Sequence, residues 1–145
     1  MGVVEREAAM IEGFFDLDNV LAQVNDKVAF PRILNEIIDW EQFRPILASV
    51  HEKERKNSSG RKPFDEILMF KILVLQTIND LSDDNAEIMI IDRLSYRQFL
   101  GLTFADKVPD AKTIWLFRNR VSELDLIKPM FEKFNSIVAD RKSVV

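Results

Sequence analysis

The sequence predicts an all-α protein: a compact multi-helix domain that contains a helix-turn-helix-like element. Apolar residues recur at helical spacing along most of the 145 residues. They make up 47% of the chain, which is enough to build a core. Only 4 glycines are present, and none forms the glycine-rich phosphate loop of a dinucleotide-binding fold. We therefore divide the chain into an N-terminal arm (residues 1–15), a helical domain (16–140) and a short tail (141–145).

The first third of the chain predicts three helical segments. A short helix is expected at residues 20–24. Pro31 can open a second helix, because a proline fits the first helical turn, where its missing N–H is not needed. A third apolar series repeats at helical spacing from Trp40 to Val50. Pro45 is tolerated in that series only near the N-terminal turn of the helix or at a kink.

The middle of the chain predicts a loop followed by a central helix. Residues 52–63 combine a run of charges, the letters Asn-Ser-Ser-Gly and a closing proline, which is typical of a loop. Asp65 is then positioned to cap a helix over residues 66–79. That helix is apolar on nearly every side, as expected for a helix buried at the centre of a domain.

Two further helices are predicted before the chain reaches Gly101. Ser82 is followed by two aspartates, which is typical of a helix start, and this helix is expected to run to about Arg93. Its apolar run 88–91 could form a strand by propensity alone, but the capped length of the segment favours a helix. Ser95 is expected to cap a short helix that Gly101 ends.

The last third predicts a loop and two helices. The loop is expected over residues 102–109. Asp110 is positioned to cap a helix over residues 111–123, and a final helix is expected at about residues 125–139.

Composition excludes several classes of site and of location. There is no cysteine, which excludes disulfides and thiolate zinc sites, and the single histidine, His51, is expected to be a surface residue near a helix end. The N-terminus lacks the basic region and apolar run of a signal peptide. The longest apolar stretch, 67–75, is interrupted by Lys71 and is too short to span a bilayer. We expect a soluble, cytoplasmic protein with no membrane association.

The charge of the chain is unevenly distributed. The net charge is −4, yet residues 51–62 carry 5 basic and 2 acidic side chains, and residues 93–120 carry 6 and 2. Two basic segments on an acidic frame are compatible with a localised phosphate-binding face. They are also compatible with charges that alternate by chance along solvated helix faces.

The predicted helix 111–123 has the layout of a recognition helix. Its apolar stripe is expected to face inward: Ile114, Phe117, Val121 and Leu124. The opposite face is expected to contact DNA bases, with two arginines on its flanks to meet phosphates: Lys112, Trp115 and Asn119, flanked by Arg118 and Arg120. Together with the helix 83–93 it would form a stretched helix-turn-helix. The alternative is an ordinary amphipathic helix with a solvated basic face.

The loop 52–63 is a second candidate for nucleic-acid contact. Its basic side chains could clamp a DNA backbone or enter a minor groove: Arg55, Lys56, Arg61 and Lys62. The alternative is a solvated surface loop.

One dense cluster of carboxylates invites comparison with a metal site. It comprises Asp80, Asp83, Asp84 and Glu87. Two-metal chemistry needs carboxylates that converge on a rigid scaffold. Because acids are also favoured at a helix N-terminus, we interpret this cluster as a helix start and predict no metal or cofactor site.

An ordered series of segments resembles a known family. The segments are Asp39–Pro45 (DWEQFRP), Gly60–Asp65 (GRKPFD), Leu68–Gln76 (LMFKILVLQ), Leu81–Asp83 (LSD), Asp92–Leu102 (DRLSYRQFLGL) and Val108–Arg118 (VPDAKTIWLFR). They resemble the N-terminal domain of transposases of the insertion-sequence-five family. The likeness covers roughly residues 14–138 and is more specific than any single motif.

The resemblance implies a function for this chain and a separate domain for catalysis. In that family a helical N-terminal domain binds the terminal inverted repeats of the transposon. An RNase-H-like domain follows, and its Asp-Asp-Glu triad binds two divalent metals such as Mg²⁺. No residue of this sequence matches a triad position, so we expect a DNA-binding chain that is not an enzyme by itself. In this interpretation Arg93 and Arg97 anchor phosphates together with the basic side chains of the loop 52–63, which we call the basic loop.

A different function also fits the sequence. The chain could be a protein-interaction or dimerisation domain, or a truncated regulator, with a homodimer or a full-length transposase as partner. Three features support this alternative: the pI near 5.1, the outward-facing pair Trp115 and Leu116, and the aromatic pair Phe131 and Phe134 in the last helix.

Overall fold

The computed structural model describes residues 30–51 and 63–144, and it is all-α, as the sequence predicts. Within these ranges the chain forms seven α-helices, one 3₁₀ turn and no strand. The predicted N-terminal arm, the predicted helix 20–24 and residues 52–62 of the predicted loop lie outside the described residues. Within those residues, no helix has the length and apolar character needed to cross a membrane.

The helices follow one another with short connections. Their bounds are α1 Phe30–Ile37, the 3₁₀ turn Trp40–Phe43, α2 Arg44–Leu47, α3 Glu66–Asn79, α4 Asp83–Asp92, α5 Leu94–Leu100, α6 Ala111–Glu123 and α7 Ile127–Val144. The chain divides into two compact units. One unit, Trp40–Leu126, contains the 3₁₀ turn and α2 to α6, and the other contains α1 and α7. The single domain predicted over residues 16–140 spans both.

Helix α3 is the centre of the unit Trp40–Leu126. It contacts the 3₁₀ turn, α2, α4, α5 and α6. Phe70, Ile72 and Val74 are fully buried, although they point to different sides of the helix. A helix that is apolar all round is stable in water only when neighbours cover every side. The prediction of a central, buried helix is therefore confirmed.

Aromatic rings pack around the first half of α3. The ring of Phe70 lies 4.7 Å from that of Phe43 and 5.9 Å from that of Trp40, measured between centroids. Trp40 also meets Phe99 edge-on at 5.6 Å. The ammonium of Lys71 lies 5.2 Å from the Trp40 ring centre and donates to the Phe99 carbonyl at 2.9 Å. Burial lowers the pKa of this lysine.

Three predicted caps set the ends of the central helices. The Asp65 side chain accepts hydrogen bonds from backbone N–H groups in the first turn of α3. Ser82 accepts one from the first turn of α4, and Asp110 accepts one from the first turn of α6. Each satisfies an N–H that has no partner within its helix. Gly101 ends α5 in a left-handed conformation (φ 73°), as predicted. These local signals explain why α3, α4 and α6 begin, and why α5 ends, at the predicted residues.

The prediction that Ser95 caps α5 is wrong. Helix α5 begins at Leu94, so Ser95 lies inside its first turn, and the N-cap position belongs to Arg93, which makes no side-chain cap. The cause is the preceding helix. Helix α4 ends at Asp92, and the single extended residue Arg93 serves as the end of one helix and the beginning of the next.

The segment from Trp40 to Val50 contains fewer α-helical residues than predicted. It forms a 3₁₀ turn and then the four-residue helix α2, with Pro45 in the first turn, which is one of the two places where the sequence allows a proline. The final helix α7 is longer than predicted, Ile127–Val144 rather than about 125–139. Asp125 precedes it with a left-handed backbone (φ 55°), which separates α7 from α6.

The prediction that His51 lies on the surface is wrong. Only 7% of this residue is exposed, and its Nε2 lies 3.1 Å from the carbonyl oxygen of Phe64. Its second neighbour is the carboxylate of Glu66, at 3.8 Å. The residue is buried because the chain returns beside it at Phe64, 13 residues later, a contact that local sequence patterns do not reveal.

Candidate nucleic-acid interface

Helix α6 has one buried side, as predicted. Ile114 and Val121 are fully buried, and Phe117 retains only 5% exposure. The stripe stops there, because α6 ends at Glu123 and the chain turns away at its C-cap, Leu124. Leu124 is 39% exposed, so its predicted place in the stripe is wrong.

The opposite side of α6 is open to solvent. Lys112, Trp115 and Asn119 are all exposed, and they lie within about 60° of one another around the helix axis. Trp115 is 51% exposed and its neighbour Leu116 is 50% exposed. The structure therefore brings together the three side chains predicted to face DNA. We call Lys112, Trp115, Leu116 and Asn119 the outer face of α6.

Helices α4 and α6 pack side by side in opposite directions. Asp83, at the start of α4, bonds Arg118 in the second half of α6, whereas Glu87, one turn later, bonds Ala111 at the start of α6. The segment 93–110, which contains α5, separates the two helices. A standard helix-turn-helix has a turn of three or four residues, so the helix-turn-helix label stays a prediction for this arrangement.

Arg118 belongs to a polar network that joins three helices. Its Nη1 donates to Asp83 Oδ2 at 3.1 Å, and its Nη2 donates to Asp83 Oδ1 and to Gln76 Oε1 of α3, the latter at 2.6 Å. Gln76 Nε2 donates to the same Asp83 Oδ1 at 2.8 Å. The Arg118 guanidinium holds the pKa of the Asp83 carboxyl below its usual value.

The predicted phosphate contact of Arg118 does not fit this geometry. Its guanidinium is committed to partners inside the domain, and an arginine paired in this way is not free to meet DNA phosphate. Arg120, on the other flank, is half-buried, and its Nε is the one buried side-chain nitrogen or oxygen without a hydrogen-bond partner in the described part of the chain.

Arg97 also has a structural role in place of the predicted one. The side chain is buried, and it donates from Nη1 to the Thr103 carbonyl at 3.1 Å and from Nε to the Ile91 carbonyl at 3.4 Å. The exposed ring of Phe104 lies against its guanidinium, 5.4 Å away. Arg97 thus pins the chain after α5 and is not available as a phosphate anchor, whereas Arg93 is exposed.

Two carboxylates already occupy the N-terminus of α6. Glu87 Oε1 accepts from the backbone N–H of Ala111 at 2.8 Å, and Asp110 Oδ1 accepts from that of Thr113 at 2.8 Å. The positive end of a helix is otherwise a ready site for phosphate. Because acids fill it here, α6 cannot use that end to bind a phosphate group.

The carboxylate cluster has structural partners. Asp83 pairs with Arg118, Glu87 caps α6, and Asp80 ends α3 in a left-handed conformation. Within the described residues no group of three or more His, Asp or Glu side chains could hold a metal ion. The helix-start interpretation explained the position of Asp83 but missed its partner, which lies 35 residues further along the chain.

The four basic loop residues predicted to contact DNA, Arg55, Lys56, Arg61 and Lys62, lie outside the described residues.

A family model described as Transposase domain (DUF772) matches residues 16–120. The chain belongs to this family. No solved structure matches this chain. The assignment to the insertion-sequence-five family and its Asp-Asp-Glu class stays a prediction.

The Asp83–Arg118 pair should make the stability of the transposase domain depend on acid pH. The carboxyl has a lowered pKa in the folded state, so its stabilisation is present above the unfolded value of about 3.9 and is lost as the pH falls through the folded value. We expect Asp83→Asn to lower the free energy of unfolding by about 1–3 kcal/mol at pH 7, since the pair is partly exposed.

Urea unfolding of both proteins at several pH values between neutral and strongly acidic tests this expectation. The gap between the parent and Asp83→Asn should close below about pH 4. Asp84→Asn, at the exposed neighbouring position, is the matched control and should show little difference at any pH. A gap of constant size down to the acid limit would contradict the role given to the ion pair.

Proposed function

We propose that the chain binds double-stranded DNA at transposon ends through the outer face of α6. The observation that carries the proposal is the placement of Lys112, Trp115 and Asn119 on one exposed side of a helix whose other side is buried. Lysine and asparagine supply donors that reach base edges in a major groove, and an apolar surface can contact a thymine methyl group. Membership in a transposase-domain family supports DNA as the partner.

The geometry also favours one way of docking. Since Glu87 and Asp110 occupy the N-terminus of α6, the helix would lie along the groove and use its side, not its tip. The exposed acids Asp84 and Asp92 would repel phosphates on the flank of α6 that lies next to α4. The DNA backbone would therefore run on the opposite flank, which carries Arg120.

Phosphate contacts would come from the remaining basic side chains. Arg93 is exposed at the joint between α4 and α5, and the basic loop supplies Arg55, Lys56, Arg61 and Lys62. Arg97 and Arg118 are left out of this set because their guanidinium groups have partners within the domain.

Binding should depend steeply on salt. If about four to five phosphates are contacted, log affinity should fall against log salt with a slope of roughly −4. The measurement is fluorescence anisotropy of labelled inverted-repeat DNA and of scrambled DNA over a salt series. Reversing the charges of Arg61 and Lys62 should weaken binding to both, because phosphate contacts carry no sequence information. A salt-independent affinity, or equal affinity for both DNAs, would contradict the proposal.

A second candidate function is self-association. Large apolar side chains are exposed on both helices of the pair: Trp115 and Leu116 on α6, and Ile88 (59% exposed) and Ile91 (52% exposed) on α4. Such side chains often mark protein interfaces. The third predicted support is wrong, because Phe131 and Phe134 are buried, with 6% and 0% exposure. These two rings are therefore not a free docking surface.

A further inference from the structure

Phe104, in the segment between α5 and α6, is the most exposed large apolar side chain in the described part of the chain, with 79% exposure. A phenylalanine ring in this position leaves a large apolar surface in contact with water. We infer that Phe104 is a base-stacking residue, whose ring packs against the flat face of a nucleobase when DNA lies on α6. The inference rests on the proposed function, to which it adds a contact outside the helix.

A hydrogen-bonded turn holds the ring away from the core. Asp106 Oδ2 accepts from the backbone N–H of Thr103 at 2.7 Å and from its hydroxyl at 3.0 Å. The Asp106 N–H in turn donates to the Thr103 carbonyl at 3.2 Å. The bonds from Thr103 hold the pKa of the Asp106 carboxyl below its usual value, so the turn keeps its ionised form at neutral pH. The exposure of Phe104 therefore follows from a fixed backbone geometry.

The Arg97 guanidinium supports one face of the ring. It lies over Phe104 at 5.4 Å from the ring centroid, and its Nη1 donates to the Thr103 carbonyl of the same turn at 3.1 Å. Arg97 is itself buried, and its Nε donates to the Ile91 carbonyl at 3.4 Å. A cation against one face fixes the plane of an aromatic ring and leaves the other face open. An open, oriented face is what stacking on a base requires.

The surroundings of Phe104 favour a nucleobase over a protein as its partner. Its exposed neighbours Thr103 and Ala105 are polar or small, whereas a protein interface is marked by a broader apolar patch. A single aromatic ring is sufficient to stack on a base, because every base has a flat face. The exposed Lys107, three residues further on, supplies a cation for the adjoining phosphate.

The turn and helix α6 are held by the same neighbour. Arg97 joins the turn to Ile91 near the end of α4, and Glu87 of α4 accepts from the first backbone N–H of α6. Phe104 precedes Asp110, the N-cap of α6, by six residues, and six residues span at most about 20 Å. DNA on the outer face of α6 therefore lies within reach of the ring.

The test compares three Phe104 variants with the parent by fluorescence anisotropy of labelled inverted-repeat and scrambled duplexes. We expect Phe104→Ala to lower the affinity for both about tenfold, because stacking tolerates any base. Phe104→Tyr keeps the flat face and should stay within about twofold of the parent. Phe104→Leu keeps an apolar cover over Arg97 without a flat face, so we expect a loss of about fivefold. The leucine variant decides the inference if the alanine variant does not fold.

A second measurement locates the stacked base. The fluorescent analogues 2-aminopurine and pyrrolo-cytosine replace adenines and cytosines of the inverted-repeat duplex one at a time, so that every base pair is sampled. We expect the parent and Phe104→Tyr to change the fluorescence at one position, and Phe104→Ala and Phe104→Leu to leave it unchanged. An internal position would indicate an opened base step, and a terminal position an unpaired end base.

Two variants of Asp106 test the turn. Asp106→Ala removes the turn and a negative charge, and Asp106→Asn is the matched control that loses the charge but keeps an oxygen to accept from Thr103. Loss of a negative charge alone strengthens binding to a polyanion. We expect Asp106→Asn to bind at least as tightly as the parent and Asp106→Ala to bind about threefold more weakly than Asp106→Asn. Equal affinities of the two variants overturn the role given to the turn.

Three results would overturn the stacking role of Phe104. They are parental DNA affinity in Phe104→Ala, the same loss in Phe104→Tyr as in Phe104→Ala, and a change of sedimentation velocity in Phe104→Ala without a change of DNA affinity. The last result would assign the ring to a protein contact. A parent that binds neither duplex overturns the proposed function and this inference together. A parent that binds both duplexes equally contradicts only the specific recognition by α6, and the Phe104 comparison still decides the inference.

Discussion

Phe117→Ala is expected to lower the free energy of unfolding by about 3–5 kcal/mol, the cost of removing a buried aromatic side chain and leaving a cavity. Phe117 is 5% exposed and lies on the side of α6 that packs against α3 and α4. The change should weaken DNA binding only through unfolding. Urea denaturation gives the first quantity, and DNA titration at a temperature where the variant is folded gives the second.

Lys112→Ala is the matched control for this prediction. It lies on the same helix, is exposed, and should change stability by about 0.5 kcal/mol or less. If Phe117→Ala were as stable as Lys112→Ala, the buried side of α6 would be assigned wrongly. If folded Phe117→Ala lost DNA binding entirely, the phenylalanine would act at the interface and not in the core.

Lys112→Ala and Asn119→Ala are expected to lower specific DNA affinity by about 1–3 kcal/mol each, which is the usual cost of a lost base contact. Affinity for scrambled DNA should change less, because phosphate contacts elsewhere supply it. Both residues are exposed, so the fold should not suffer. Anisotropy titrations with the inverted-repeat and scrambled DNAs measure the two affinities.

Trp115→Ala decides between the two candidate functions. If the outer face of α6 binds DNA, this variant loses DNA affinity and its sedimentation velocity is unchanged. If the face is a dimer interface, the variant turns a dimer into a monomer, and DNA binding falls only as a consequence. Parental DNA binding by Lys112→Ala and Asn119→Ala, combined with loss of a dimer in Trp115→Ala, would mean that α6 is not the recognition helix.

Local signals explain which parts of this fold could be predicted. A capping aspartate followed by a periodic apolar run predicted where α3 and α6 begin and about where they end, because both the first turn and the buried side depend on neighbours in sequence. The outer face of α6 follows from the same periodicity. Ser95 shows the limit of such local signals. Arg93, and not Ser95, holds the N-cap position of α5, because α4 and α5 are joined through that one residue.

Contacts between distant segments could not be predicted in the same way. In sequence, Arg97 and Arg118 resemble the exposed Arg93. No local pattern distinguishes an arginine that is free to bind phosphate from one that is bonded inside the domain. Arg118 finds its partners 35 and 42 residues away, in helices whose packing the sequence pattern does not specify. The buried position of His51 has the same origin.

The acidic side of α4 has a consequence for how the domain would meet DNA. A duplex is a polyanion, and a protein with net charge −4 is repelled by it in most orientations. If the chain binds DNA as proposed, the exposed Asp84 and Asp92 disfavour an approach of the duplex to α4, whereas Lys112 favours an approach to α6. Repulsion of this kind would weaken nonspecific association with DNA relative to binding at a matching end, where base contacts add to the affinity.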